Sequence, residues 1–99
     1  MYAKILRQMR KAAQARQVNF RSHAFDEMSN DDLEPVDAIN CILTGEIIED
    51  QFDADYQQMK YVIYGDALNE DEIGVVAVLD AGGRVGVITV FRLTVKDYA

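Results

Sequence analysis

Residues 73–93, IGVVAVLDAGGRVGVITVFRL, decide the fold. Two runs rich in valine and isoleucine flank 80-DAGGR-84. Such runs fit the pleated, half-buried surface of a sheet. Paired glycines between them supply the positive φ that a tight reversal needs. The segment predicts a β-hairpin, with strands at 73–79 and 85–93. The first of these holds so few polar residues that both of its faces are expected to be covered.

Upstream, 59-MKYVIYG-65 is a further strand by its β-branched and aromatic content, and Ile47, Ile48 and Phe52 mark another. The segments 53-DADYQQ-58 and 66-DALNEDE-72 are polar connections. Tyr61 and Tyr64 fall on opposite faces of their strand, one expected in the core and the other more exposed. The tail over 94–99 is short and is expected to fray or to dock.

The first 44 residues have a different period. Over 2–15, Tyr2, Ile5, Leu6, Met9, Ala12 and Ala13 recur at helical spacing, and Lys4, Arg7, Arg10, Lys11 and Gln14 fall opposite. The basic stripe reads first as a solvated face, and second as a surface for phosphate or an acidic partner. Arg16 would land on the apolar side, so the helix ends near Ala15. Val18 and Phe20 form a short extended stretch. Ser22 then serves as an N-cap, with Asp26 and Glu27 in the first turn and Ala24, Phe25 and Met28 turned inward. Leu33 anchors the acidic stretch that follows. Pro35 opens a third helix, with Val36, Ile39 and Leu43 on its apolar face and Gly45 as its stop.

Helices first and strands after, with short links, predict an α+β fold: N-terminal helices packed on an antiparallel sheet of about four strands. Ninety-nine residues make one domain, 1–99, with a helical part over 1–44, a sheet part over 46–93 and a tail over 94–99.

The net charge of −7 argues against nonspecific binding of nucleic acid by the molecule as a whole. Six basic residues, Lys4 to Arg21, precede the first acid, Asp26; the remainder holds all seventeen acids against Lys60, Arg84, Arg92 and Lys96. A basic face on an acidic body is one outcome, and neutralisation within the fold is the other. The single cysteine, Cys41, fits a reducing, cytoplasmic setting and rules out an intramolecular disulfide or a cysteine-rich zinc site. No apolar run reaches the ~20 residues that span a bilayer, so no membrane partner is expected.

No phosphate-loop, dinucleotide or H-E-x-x-H pattern is present. Cys41 sits in an apolar helical stretch and reads as structural. His23 is the one histidine, and its intrinsic pKa suits proton transfer near neutrality. Cleavage of RNA needs such a group beside cations that hold the phosphate. Arg21 is two residues away, and Arg92 on the last strand is the second candidate cation, with Lys96 or Tyr98 reaching in from the tail. The competing reading places His23 as a helix residue bonded locally. Metal binding by His23, Asp26 and Glu27 is weighed and set aside, and no cofactor is expected.

The runs 21-RSHAFDEM-28, 45-GEIIED-50, 61-YVIYG-65 and 85-VGVITVFR-92, in that order, resemble the domain-of-unknown-function family 4258. The resemblance covers about 18–93. That family looks related to the RelE/BrnT-like ribonuclease toxins, so the resemblance implies a toxin-like fold and a metal-independent endoribonuclease. The family's R-x-H-A pattern maps onto Arg21, His23 and Ala24, and members that stand beside antitoxin-like proteins imply such a protein as partner; in an active chain His23 is expected as acid and base, with Arg21 and Arg92 as phosphate cations. The family pattern places arginines near the positions of Glu27 and Asp31. Acids there repel RNA, so the implied ribonuclease is one of weak or lost activity. The alternative is a non-catalytic interaction module that binds a protein through acidic loops or a sheet edge. A homo-oligomer formed through that edge is a further outcome.

Overall fold

The hairpin forms as the sequence predicts, but its turn is held differently. Asp80 Oδ1 accepts the amide hydrogens of Gly82 and Arg84, both at 2.9 Å. Of the two glycines only Gly83 takes a positive φ, 80°. At Gly82 the turn is held instead by an aspartate that bonds the backbone two residues on.

The computed structural model describes residues 1–98. In chain order these form α1 (Ala3–Gln14), β1 (Val18–Phe20), α2 (Ser22–Asn30), α3 (Pro35–Thr44), β2 (Glu46–Asp53), β3 (Gln58–Asp66), β4 (Glu72–Leu79) and β5 (Val85–Arg92), followed by a 3₁₀ turn over Val95–Tyr98. The fold is α+β. The sheet has five strands in the order β1-β5-β4-β3-β2, not the four expected. The four long strands pair antiparallel, and the fifth, β1, pairs parallel to β5 through Val18–Val85, Asn19–Gly86 and Phe20–Val87. Three residues are too few to show a period of two, so β1 reads from sequence only as an extended stretch.

One face of the sheet carries the core. Ile63, Ile73, Val75, Ala77, Val85, Val87 and Val90 are fully buried there. Met9, Ala12 and Ala13 of α1, Ala24 and Met28 of α2, and Ala38, Cys41 and Ile42 of α3 meet them. Val36 is exposed and Ile39 and Leu43 are half-buried, so the inward face of α3 is rotated from the expected one. The small residues Ala38 and Cys41 are what let α3 sit close to the strands.

Two irregularities set the side-chain directions. In β2, Ile48 is an extra residue between the pairs Ile47–Ile63 and Glu49–Val62. In β5 the register slips between Ala77–Val87 and Val76–Thr89, which leaves Ile88 extra. Such a bulge turns every later side chain of its strand to the other face.

The helix ends follow local chemistry. At the C-terminus of α1 the amides of Arg16 and Gln17 bond the carbonyls of Ala13 and Ala12, with Arg16 left-handed at φ 59°. This is the paired-bond stop that usually uses glycine. Pro35 opens α3, where the Asp37 carboxylate accepts the Glu34 amide hydrogen at 2.8 Å. Ser22 is not the cap of α2. Arg21 occupies that position without a side-chain bond, and its own amide bonds Val87 O, so the helix starts directly off the β1–β5 ladder. Asp26 and Glu27 therefore lie beyond the first turn.

Gly45 ends α3, but in extended backbone at φ −93°. Its role is close approach. A Cβ on Gly65 would lie 2.6 Å from Cys41 O and 2.9 Å from the Gly45 Cα. The end of α3 thus crosses β3 backbone to backbone. Arg10 completes this junction by donating to Ile42 O at 3.2 Å and Gly45 O at 2.6 Å. A cation on the last carbonyls of a helix is favourably placed against its dipole.

Candidate functional site

The three sequence-predicted site residues have separate partners. Arg21 leaves the start of α2 across the sheet face opposite the helices. Its Nη2 lies where a side chain on Gly86 would approach to 3.3 Å. Its guanidinium carbon stands 4.6 Å from the centroid of the Tyr56 ring, at the tip of the β2–β3 hairpin. A guanidinium over a ring face is a favourable cation–π contact.

His23 is exposed on α2, and its Nε2 lies 3.3 Å from Glu27 Oε2, one helical turn on. The other oxygen of Glu27 accepts the amide hydrogen of Val90 at 3.1 Å. The reason lies in the topology. β1 stops opposite Val87, so the flank of β5 beyond it has no strand. α2 lies along that flank, and Glu27 takes the place of a ladder acceptor. His23 is thus held by a carboxylate that is itself fixed by the sheet. The i,i+4 spacing of His23 and Glu27 is legible in the sequence; the Val90 bond, across 63 positions, is not.

Arg92 reaches the helix side because of the bulge at Ile88. Unbroken alternation from Val85 would turn it to the face that Arg21 crosses. Instead it donates from Nε to Asp31 O at 3.0 Å and from Nη1 to Asp71 Oδ2 at 2.6 Å. Hydrogen bonds from Arg92 and Asn69 hold the Asp71 carboxyl below its ordinary pKa. Asp31 contributes its backbone carbonyl here, not its carboxylate.

Cys41 is fully buried, with its sulfur 3.8 Å and 3.7 Å from the carbonyls of Ile63 and Ile73. Burial, helped by the charge of Asp66, pushes its thiol up to about 12, so it stays protonated and inert at neutral pH. Tyr61 and Tyr64 do lie on opposite faces, and both are half-buried. Tyr64 meets the rings of Phe91 and Tyr98 edge-on at 6.4 and 5.8 Å. The tail docks there, with Tyr98 Oη bonded to the Glu72 carboxylate, which pushes the phenol up to about 12. Lys96 takes part in no ion pair among the described residues.

The longer of the two edge strands is β2. It is the last strand of the sheet and pairs with β3 alone. Six of its eight residues are exposed. By register Glu46, Glu49, Gln51 and Asp53 share the face of Tyr64, Val62, Lys60 and Gln58, while Asp50 and Phe52 share the other with Ile47. Ile48 and Phe52 are exposed apolar residues on this strand. Asp53 pairs with Lys60 at 3.7 Å, and among the described residues Glu46, Glu49 and Asp50 have no basic partner. At the Glu46 end the strand borders an open cleft between α3, β3 and the tail, whose walls carry Glu46, Asp66, Glu72 and Asp97 but no lysine or arginine. Sequence reasoning placed the strand but gave no means of ranking it as the free edge.

Residues 20–92 match the family described as a domain of unknown function (DUF4258), and the chain belongs to that family. The match begins at the last residue of β1, so α1 lies outside it. No curated protein and no solved structure matches the chain. Among the described residues no helix is long and apolar enough to cross a membrane.

Proposed function

We propose that this chain is a non-catalytic protein-binding module that accepts an extended segment of a partner along the free edge of β2. The observation that carries the reading is the contrast between the two flanks of the sheet. The β1 side offers three residues and is continued by α2, with Glu27 on the Val90 amide. The β2 side offers an eight-residue strand with one paired edge. Strand addition uses such an edge, with main-chain hydrogen bonds for affinity and alternate side chains for specificity. An antitoxin-like protein, the partner that the family resemblance implies, is a fitting source of that segment.

The test is amide hydrogen exchange with a panel of eight-residue extended peptides of differing charge. Slowed exchange confined to β2 supports the module. Peptides N-methylated on the pairing side should lose the effect, and peptides methylated on the opposite side should keep it. No slowing at β2 with any peptide overturns the reading.

The second reading is a metal-independent ribonuclease with a RelE/BrnT-like origin. It is favoured by one observation, the exposed His23 ring held by the anchored Glu27. Against it, Arg92 is engaged with Asp71, so Arg21 and Arg92 would have to leave their present partners to join His23. Cleavage of single-stranded RNA by the purified protein, lost in His23→Ala, would support it. Equal action by both proteins would remove His23 from any mechanism.

A further inference from the structure

We infer that the segment taken up by β2 is basic: an extended stretch of a partner protein with lysine or arginine at alternate positions, and not a second copy of this chain. The inference rests on the strand-addition reading and names its partner.

The argument is one of charge at fixed register. A strand laid against β2 sets every second side chain beside Glu46, Glu49 and Asp53 on one face, and those between beside Asp50 and Phe52. Opposite charges in cross-strand positions stabilise the pair, and like charges destabilise it. Two copies joined β2 to β2 would bring two rows of these same acids together, so self-pairing is disfavoured. A strand with its bases on the first of these faces meets Glu46 and Glu49, which have no cation of their own among the described residues. The acid-walled cleft beside Glu46 extends this field past the end of the strand. The net charge of −7 adds long-range attraction for a cationic segment, which acts chiefly on the rate of association.

The experiment uses the full chain and three peptides of one length: alternating lysine and valine, alternating glutamine and valine, and alternating glutamate and valine. Affinity is read by titration, and location by exchange at β2. The lysine peptide should bind at least about tenfold more tightly than the glutamine peptide and weaken with added salt. The glutamate peptide should not bind. The double variant Glu46→Gln, Glu49→Gln, checked for an unchanged melting profile, should lose most of the lysine preference. Equal protection of β2 by lysine and glutamine peptides would overturn the basic partner while leaving strand addition standing. No protection by any peptide would overturn both. A double variant that self-associates yet keeps the full lysine preference would also overturn the inference, because those acids would then serve only to keep copies apart.

Discussion

Glu27 Oε1 accepts the amide hydrogen of Val90 at 3.1 Å, and so joins the middle of α2 to the unpaired flank of the last strand. A charged acceptor on a backbone amide is among the stronger hydrogen bonds of a fold. Glu27→Ala should cost about 1–2 kcal/mol, partly by leaving that amide without its acceptor. Glu27→Gln, which keeps an acceptor oxygen of similar reach, should cost less. Denaturant unfolding gives the energies, and faster exchange at the Val90 amide in the alanine variant localises the effect. An unchanged Val90 exchange rate would sink the account.

The junction of α3 with β3 leaves no room for a side chain. Gly65→Ala would force a methyl to within 2.6 Å of the Cys41 carbonyl, a backbone atom that does not move aside cheaply. A loss of about 2–3 kcal/mol or more is expected. Gly83→Ala is the informative control. Nothing lies within 4 Å of its Cβ position, and only its φ of +80° is unfavourable, so about 1–2 kcal/mol is expected. Thermal unfolding of the two variants side by side separates crowding from backbone strain.

Arg16 holds a left-handed conformation, at φ 59°, that costs a side-chain-bearing residue but not glycine. Arg16→Gly should therefore stabilise the protein by about 0.5–1 kcal/mol, less whatever the freer unfolded chain takes back. A lower denaturation midpoint in this variant would show that the Arg16 side chain has a contact that outweighs its backbone.

The Asp71–Arg92 pair makes stability depend on pH in a defined direction. The folded-state pKa of Asp71 is depressed, with the hydrogen bond from Arg92 as the main cause. Its contribution is therefore present in full above the ordinary carboxylate value and is lost as pH falls through the folded value. Asp71→Asn should be less stable than the parent near neutral pH, and the two should converge in acid. The pair is exposed, so the difference should also shrink in high salt.

How much of this was legible beforehand depends on the element. The strands of 73–93 announce themselves because β-branched runs and a D-A-G-G turn point the same way. α1 is legible because its apolar residues hold one period for about three turns. β1 is not, since three residues carry no period and its pairing is decided by β5. The inward face of α3 is not legible because Val36, Ile39 and Leu43 form an apolar stripe of their own beside Ala38, Cys41 and Ile42, and close packing on the strands selects the stripe that holds the small pair. The placement of Arg92 was hidden for a sharper reason. A single extra residue, Ile88, reverses the alternation on which the reading of faces depends, and nothing in V-G-V-I-T-V marks it. Sequence proximity brought Arg21 and His23 together on paper, yet one crosses the sheet toward Tyr56 and the other turns along α2 to Glu27.

The unequal flanks of the sheet have a consequence for stoichiometry. A flat sheet with two usable borders is a link: each unit that joins offers a new border, and chains of units grow without limit. Here one border is three residues long and gives way to a helix, and the other carries acids that repel their own kind. Strand addition would therefore end where it begins, with one guest segment per molecule. On the strand-addition proposal, the fold serves as a terminus rather than a link.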